Sequence, residues 1–282
     1  MSEAADKETN SSPVSRETLP RPANARVMVV VNQKGGVGKT TTAVNLAASL
    51  ALGGLKVLLI DMDPQGNAST ALGVDHRQGV RGTYEVLIDQ DAMAWHVVDS
   101  PEAPMLSVLP ASIDLAAAEI ELVAIAGREH RLLDALRTYL AEAPQDYVIL
   151  DCPPSLGLLT LNALVAAKEI LIPIQCEYYA LEGVSQLVRT INLVKGNLND
   201  QLKVSTVILT MFDARTKLSA QVADEVRRHF PTETLQAAIP RSVRVSEAPS
   251  YGQTVMSYSP GSPGADAYAA AAAEIAHSGG VK

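Results

Sequence analysis

A glycine-rich loop, QKGGVGKT at residues 33–40, constrains the fold of this chain more than any other feature of its sequence. It follows the apolar run Val27–Val31 and precedes a stretch with helical periodicity. Its glycines allow backbone N–H groups to converge on a polyphosphate without interference from Cβ atoms. Lys39 can reach the β- and γ-phosphates, and the Thr40 hydroxyl can ligate Mg²⁺. The loop therefore predicts a strand followed by a helix, with a nucleoside triphosphate bound at the junction.

A second lysine in the loop, Lys34, needs a separate explanation. The common phosphate-binding pattern has glycine at the position of Gln33 and does not require a lysine next to it. Lys34 therefore either lies in solvent or contacts a phosphate group that its own loop does not hold.

Short apolar runs recur along the chain, and they are continuous rather than alternating. The runs are Val27–Val31, Val57–Ile60, Leu106–Leu109, Tyr147–Leu150, Ile170–Ile174 and Val204–Leu209. Continuous runs are typical of parallel strands that are covered on both faces. Helical stripes separate most of them, at about residues 40–52, 113–126, 129–141 and 181–195. We therefore predict an α/β fold with a doubly wound, mostly parallel sheet flanked by helices, and ligand groups at the carboxyl ends of the strands.

The length and the composition of the chain limit its domain organisation. The chain has 282 residues, of which 47% are hydrophobic, and this is sufficient for one continuous core. Residues 1–25 are rich in Ser, Pro, Glu and Arg and have no apolar period, so we expect a disordered N-terminal tail there. Residues 26–282 are expected to form a single domain.

Charge and cysteine usage exclude several classes of protein. A net charge of −8 argues against a protein that coats nucleic acid with its whole surface, although it permits a local basic patch. The two cysteines form no CxxC pair, and the chain has no secretory signal, so we expect a cytoplasmic protein. No apolar run reaches the roughly 18 residues that a membrane span needs, so we expect no membrane partner.

Three aspartates follow two of the apolar runs. Asp61 and Asp63 come after Val57–Ile60, and Asp151 comes after Tyr147–Leu150. A single aspartate after a strand is often a turn or cap residue, but three carboxylates converging on one phosphate loop favour a site. We expect Asp151 to hold Mg²⁺ opposite Thr40, with Asp61 supporting either the metal ion or the loop, and Asp63 to orient or activate the attacking water.

These segments together resemble a known family. Residues 34–41, 61–67 and 151–155 are similar to the deviant Walker A, Walker A′ and Walker B motifs of the ParA/Soj chromosome-partitioning ATPases. Two later segments, 175–183 and 239–249, also match that family and are more specific to it than the loop alone. The resemblance covers about residues 26–273, which would form a ParA-type ATPase domain.

The resemblance implies ATP and Mg²⁺ as cofactors and a homodimer that encloses two ATP molecules. Lys34 would reach across the dimer to the nucleotide of the other subunit, as a cationic finger worth about 10³–10⁵ in rate. The implied catalytic residues are Lys34, Lys39 and Asp63. The implied nucleotide-binding residues of the loop are Lys34, Gly35, Gly36, Val37, Gly38, Lys39, Thr40 and Thr41. The implied partner is a ParB-type centromere-binding protein that stimulates hydrolysis, and the protein would be associated with the nucleoid.

A second candidate region lies between Lys203 and Arg244, where seven basic residues face four acidic ones. A local excess of positive charge suits non-specific contact with the phosphates of double-stranded DNA. By resemblance to the family, Arg215 and Arg244 occupy positions that bind DNA. Further candidates, which can equally be solvated surface residues, are Lys217, Arg227 and Arg228. Met211, Pro240 and Arg241 follow strands, and we expect them to wall the adenine.

Three alternative functions remain open at this point. The chain could be a regulatory module that binds nucleotide and scarcely cleaves it. It could be an iron–sulfur reductase component that uses Cys152 and Cys176, although free cysteines of this kind are most often small buried hydrophobes. It could also resemble the MinD division-site ATPases, but its C-terminal segment 269–276 has no basic amphipathic stripe for a membrane.

Overall fold

The sheet is the element that positions every candidate residue. A computed structural model describes residues 18–177 and 180–279, and these residues contain eight strands in one sheet. The strands are β1 (Arg26–Val30), β2 (Val57–Asp61), β3 (Val98–Asp99), β4 (Leu106–Leu109), β5 (Tyr147–Asp151), β6 (Glu169–Gln175), β7 (Lys203–Phe212) and β8 (Thr234–Pro240). Their order is β3-β4-β2-β5-β1-β6-β7-β8, and every pair is parallel except β3 with β4.

Helices cover both faces of this sheet. They are α1 (Lys39–Leu52), α2 (Asn67–Ala71), α3 (Thr83–Leu87), α4 (Leu115–Glu121), α5 (Arg131–Glu142), α6 (Leu158–Ala166), α7 (Ala180–Asn197), α8 (Lys217–His229), α9 (Val243–Glu247), α10 (Val255–Tyr258) and α11 (Pro263–Gly279). Alternate residues of β1 face opposite sides, so Val27 and Val29 join one core with α5 to α8. Met28 and Val30 join a second core with α1 and α11.

The predicted fold class is confirmed. All six apolar runs are strands. The central strand β1 lies between β5 and β6, and the connection from β1 to β2 runs to one side of β1, whereas the connection from β5 to β6 passes to its other side. Ligands of open α/β sheets bind at such a switch point, outside the carboxyl ends of the strands. The glycine-rich loop follows β1 at this point.

Two strands were not predicted, and both lie at an edge of the sheet. β3 has two exposed residues, and β8 has the mixed sequence TLQAAIP with a single strand neighbour. An edge strand is covered less completely than a central one, so its sequence does not need a continuous apolar run. The expected helix at 113–126 is shorter than predicted, because α4 ends at Glu121 and a 3₁₀ turn follows at Leu122–Ala124.

The expected boundary of the N-terminal tail at residue 25 is wrong for its last residues. The Leu19 amide donates to the Gly53 carbonyl at 3.0 Å, and the Leu19 side chain packs on the core that contains α1. Arg21 also forms a long ion pair of 3.9 Å with Asp146. Residues 18–25 are therefore attached to the domain, and residues 1–17 lie outside the described part of the chain.

The described helices do not include a membrane span. None of them combines the length and the apolar character that crossing a bilayer would require.

Candidate functional site

The loop after β1 ends at the N-terminus of α1, and that terminus is not capped by any side chain. Gly38 adopts a left-handed conformation with φ of 86° immediately before Lys39. The first turn of α1 contains no acidic residue. The backbone N–H groups of this turn are therefore available to an anion, and the helix dipole favours negative charge here.

Side chains from two neighbouring segments hold the loop in place. The Thr210 hydroxyl of β7 donates to the Val37 carbonyl at 2.8 Å. The Asn32 side chain donates to the Pro173 carbonyl of β6 at 2.8 Å and accepts from the Lys34 amide at 3.0 Å. Sequence reasoning missed the roles of Asn32 and Thr210. A polar residue at or near the end of a buried strand was the available signal for both.

Lys39 is 8% exposed, and its side chain lies among acidic groups. Its ammonium donates to the Lys34 carbonyl at 3.2 Å. Burial lowers the pKa of Lys39, while the charges of Asp151 and Asp63 oppose this effect. The arrangement places one cation between the loop and the aspartates, where a phosphate group would replace the Lys34 carbonyl as its partner.

Asp151 is fully buried at the end of β5, beside Asp61 at the end of β2. Neither of its carboxylate oxygens has a hydrogen-bond partner of ordinary geometry among the residues that the structure describes. Burial, and next the charge of Asp61, raise the pKa of Asp151 well above its usual range, and the nearby Thr40 hydroxyl only partly offsets this. A buried carboxylate without a partner is costly, and a bound cation with its water shell would supply what is missing.

Asp61 is also fully buried, but its oxygens are used within the protein. One accepts from the Ser69 amide at 2.9 Å and the Ser69 hydroxyl at 2.8 Å, and the other accepts from the Asp63 amide at 3.1 Å. Burial still raises the pKa of Asp61 to about 6. The oxygens of Asp61 are thus engaged by the loop that follows β2, and its expected roles, support of the metal ion or of the loop, remain predictions.

Asp63 lies in the turn between β2 and α2 and is 9% exposed. The Gln65 amide donates to its carboxylate at 3.0 Å, and the Gly66 amide donates to its carbonyl at 2.9 Å. The turn follows the sequence preference for Asp first, Pro second and Gly fourth. Asp63 is thus held by the backbone of its own turn, close enough to Lys39 for their charges to interact.

Lys34 does not lie free in solvent. Its ammonium forms an ion pair with the Glu177 carboxylate of the same chain, and the side chains of both are a little over one-third exposed, at 39% and 37%. Glu177 belongs to the segment 175–183 that carries the family resemblance, but no pattern in that segment pointed to a role for it. The residues after it, Tyr178 and Tyr179, lie outside the described part of the chain.

Met211, Pro240 and Arg241 line one cavity together with the loop residues Gly38 and Thr41. The cavity has a volume of about 300 Å³. Met211 has a positive φ of 51°, which is uncommon for a residue with a side chain. The structure therefore brings these three residues together next to the phosphate loop, as the sequence prediction requires.

Comparison with known proteins identifies the family. A family model described as an AAA domain matches residues 25–204. The chain is 50% identical over 254 residues to the sporulation initiation inhibitor protein Soj of Bacillus subtilis, covering 90% of this chain and 99% of that protein. It is 52% identical over 251 residues to the chromosome partitioning protein ParA of Myxococcus xanthus, covering 89% and 87%. The chain belongs to the ParA/Soj family of chromosome-partitioning ATPases.

A solved structure supports the fold of this ParA/Soj member. It is the cobyrinic acid a,c-diamide synthase of Mycobacterium smegmatis with bound ADP and magnesium. The TM-score is 0.75 at 39% sequence identity, and the match covers 90% of this chain and 93% of that one. The likeness extends well beyond the nucleotide loop and includes the C-terminal half of the sheet.

The structure separates the basic candidates of this ParA/Soj member into two groups. Arg215 follows β7 and Arg244 lies on α9 after β8, and both are exposed. These strands end side by side, with Phe212 paired to Pro240. Lys217 begins α8 near Arg215, whereas Arg227 and Arg228 lie in its last turn, about 15 Å farther along the helix.

Arg215 carries an ion pair of its own. It contacts Asp213 through two hydrogen bonds of 2.9 and 2.8 Å, and its side chain is 88% exposed. The hydrogen bonds from Arg215 lower the pKa of Asp213 to about 2. The positive charge of this candidate is therefore partly compensated within the chain.

The two cysteines lie inside the protein. Cys152 and Cys176 are both free and buried, after β5 and β6. Burial raises the pKa of the Cys152 thiol and raises that of Cys176 to about 11. Both thiols thus have the properties of small buried side chains, as the sequence suggested.

Proposed function

We propose that this chain is an ATP hydrolase that works as a switch. Its ATP-bound form is a homodimer that binds double-stranded DNA without sequence preference, and a ParB-type partner releases it by stimulating hydrolysis. The observation that carries the proposal is the carboxylate of Asp151, which is buried without a hydrogen-bond partner of ordinary geometry beside Lys39 and an uncapped helix N-terminus. A triphosphate and its cation complete this arrangement.

The relatives and the geometry agree on the ligand. The similar solved structure contains ADP and magnesium, and the present chain has the matching phosphate loop. Asp151 and Thr40 are the residues that would hold Mg²⁺, Asp151 through water. The ion would neutralise charge on the phosphates. The cavity lined by Met211, Pro240 and Arg241 would receive the adenine.

Hydrolysis requires an oriented water molecule, and Asp63 is our candidate for that task. It lies on the turn that follows β2, with its carboxylate fixed by the Gln65 amide. Asp61 fixes the far side of the same loop through Ser69. A carboxylate held in this way can accept a proton or orient the attacking water.

Lys34 provides the link between hydrolysis and dimerisation. Its ammonium is paired with Glu177 in the single chain, while its carbonyl accepts from Lys39. To contact a nucleotide on a second subunit, the side chain would have to leave Glu177. The dimer would therefore exchange a partly exposed ion pair, which contributes little, for a contact with phosphate.

Gly35 supports the same proposal. A Cβ atom at Gly35 would contact nothing within 4 Å, and Gly35 does not have the positive φ that Gly36 and Gly38 show. No contact within residues 18–177 and 180–279 therefore requires glycine at position 35. A requirement for a small residue there would come from a bound nucleotide or from a second subunit.

The dimerisation step can be tested by light scattering with ADP, with ATP and with ATP plus DNA. We expect the wild-type chain to be monomeric with ADP and dimeric with ATP. Gly35→Val should remain monomeric with ATP and should retain its melting temperature, because the added side chain has space within the single chain. A wild-type chain that stays monomeric in all three conditions would contradict the proposed switch.

The DNA-binding step has its own test. Arg244→Glu should abolish binding of duplex DNA and leave ATP binding intact, because Arg244 is exposed on α9 and is absent from the nucleotide cavity. Arg137→Glu is a matched control, since Arg137 is also exposed but lies on α5. Equal losses for the two variants would indicate a general effect of net charge instead of a DNA site.

A further inference from the structure

The turn that carries Asp63 is covered by the imidazole of His76. Gly66 ends this turn in a left-handed conformation, with φ of 62°, and becomes the residue before α2. A Cβ atom at Gly66 would overlap the His76 ring, which shows how closely the ring lies against the backbone. After α2, the Gly73 and Val74 amides donate to the backbone carbonyls of Thr70 and Ser69. His76 therefore covers a loop that is already closed on itself.

Thr70 joins the imidazole to the turn. Its hydroxyl lies 3.1 Å from the Gly66 carbonyl and 2.7 Å from His76 Nε2. The Gly66 carbonyl also accepts from the Thr70 amide at 2.9 Å. Thr70 therefore contacts both the imidazole and the turn, and it links His76 to Gly66 through hydrogen bonds.

The same turn determines where the Asp63 carboxylate points. The Gly66 amide closes the turn on the Asp63 carbonyl at 2.9 Å, and the Gln65 amide holds the carboxylate at 3.0 Å. A rotation of the Gln65–Gly66 peptide would move the first of these donors, the Gly66 amide. The imidazole, packed on Gly66, opposes such a rotation.

We propose that His76 is a positioning residue for ATP hydrolysis, which holds the Asp63 turn in one conformation by packing on Gly66 and forming a hydrogen bond with Thr70. This inference rests on the proposed function, because Asp63 matters only if ATP is hydrolysed. His76 touches neither Asp63 nor the phosphate loop through any hydrogen bond described for it. It acts through the turn, and a displacement of about 1 Å of a catalytic group is enough to reduce a rate considerably.

The test compares steady-state ATP turnover of full-length His76→Ala, His76→Gln and wild type with Mg²⁺ and duplex DNA. We expect kcat of His76→Ala to fall by about tenfold, while KM for ATP changes by less than about twofold. The glutamine amide can donate or accept a hydrogen bond at a position similar to Nε2, so His76→Gln should recover most of the lost kcat. His277→Ala is the matched control, because His277 is an exposed histidine whose ring forms a hydrogen bond with the Ala273 carbonyl of its own helix, far along the chain from the Asp63 turn.

Hydrogen exchange of the amides in residues 61–72 gives a second measurement. His76→Ala should exchange faster at Gly66 and Thr70 than the wild type and His76→Gln, with the melting temperature nearly unchanged. A kcat for His76→Ala equal to that of wild type would overturn the inference and leave the proposed function intact. Equal losses of kcat in His76→Ala and His76→Gln would overturn it as well. A wild-type chain without turnover would instead contradict the proposed function.

Discussion

The parallel strands of the sheet begin at one side of the molecule, here called the amino edge, and end at the other, the carboxyl edge. Both contain buried charges, but only the amino edge satisfies those charges within the protein. At the amino edge, Arg26 begins β1 and Glu169 begins β6, and they form two hydrogen bonds of 2.8 and 2.6 Å. Their side chains are 12% and 11% exposed. At the carboxyl edge, neither carboxylate oxygen of Asp151 has a hydrogen-bond partner of ordinary geometry in the described part of the chain, and the nearby Thr40 hydroxyl offsets its burial only in part.

The amino edge shows what a structural ion pair needs. Arg26 also donates to the Tyr147 hydroxyl at 3.3 Å, and its guanidinium lies 5.5 Å from the centre of that ring. Arg26, Tyr147 and Glu169 each lie at the start of a strand, where the second core and α11 cover them. Buried charges are tolerated when their hydrogen-bonding capacity is used, and this pair meets that condition.

The carboxyl edge shows the opposite arrangement, and the contrast separates stability from function. Asp151, Asp61 and Lys39 are all buried within one site, although each would be cheaper to solvate. The pKa of Asp151 and that of Asp61 are both raised chiefly by burial. Perturbed groups concentrate where a ligand supplies the missing charges. A buried charge whose hydrogen-bonding capacity is used within the protein indicates a structural role, whereas one whose capacity is unused indicates a ligand-binding site.

Asp63→Ala tests the functional side of the contrast and should have the largest effect. ATP turnover with DNA and a ParB-type partner should fall by about 10³-fold, because the group that orients the water is lost. The melting temperature should change little, since the turn of Asp63 is closed through its backbone carbonyl. Phosphate release measures turnover, and equilibrium binding of ATP is the control. Unchanged turnover would mean that Asp63 is not catalytic.

Glu169→Gln tests the structural side of the contrast. It leaves the Arg26 guanidinium buried without its counter-charge, so we expect a loss of about 3–5 kcal/mol in the free energy of unfolding. Urea denaturation measures this loss. Asp75→Asn is the matched control, because the Asp75–Arg77 pair has the same two-point geometry but is exposed. We expect the urea midpoint of the control to be unchanged, and similar effects for both variants would contradict the comparison.

The two edges should also respond to pH in opposite directions. Asp61 has its pKa raised from 3.8 to about 6, so it stabilises the fold at acidic pH, and this contribution is lost as pH rises through about 6. Arg26 lowers the pKa of Glu169 below its usual 4.5, and this outweighs the effect of burial. The contribution of Glu169 is therefore present above that value and is lost as pH falls.

Urea midpoints measured without Mg²⁺ from about pH 3 to about pH 7 should separate these two contributions. The Asp61 contribution amounts to about 3 kcal/mol, and it should be absent in Asp61→Asn. In Glu169→Gln, the decline in stability as pH falls should disappear, while the decline as pH rises through about 6 should remain. If Asp61→Asn showed the same decline between these pH values as the wild type, the pKa of Asp61 would not be the cause.

The sequence predicted the carboxyl edge better than the amino edge, and the reason is physical. Asp61 and Asp151 follow continuous apolar runs, and the ends of parallel strands meet at one edge, so their proximity could be inferred. The structure confirms it through the pairing of β2 with β5. Arg26 and Glu169 only flank such runs, and they are separated by 143 positions in the sequence. Nothing local distinguishes them from charged residues at a solvated strand end.

Tertiary contacts account for the other differences. Glu177 and His76 act on Lys34 and Gly66 across a fold that local patterns do not encode. The three basic candidates on α8 were indistinguishable by charge, and only the length of the helix separated Lys217 from Arg227 and Arg228. The motifs thus predicted which residues carry chemistry, whereas the structure was needed to show which side chains hold them.

Asp151→Asn is the smallest of these effects and the sharpest test of the contrast, because its sign is opposite to that of Glu169→Gln. An amide cannot ionise, so the cost of burying the Asp151 carboxylate near Asp61 disappears. We expect the free energy of unfolding without ligand to increase by about 1–2 kcal/mol. The stabilisation that ATP and Mg²⁺ give to the wild type should decrease, since the amide does not hold the ion. A less stable ligand-free variant would show that Asp151 is satisfied within the protein, and the two edges would then not differ in kind.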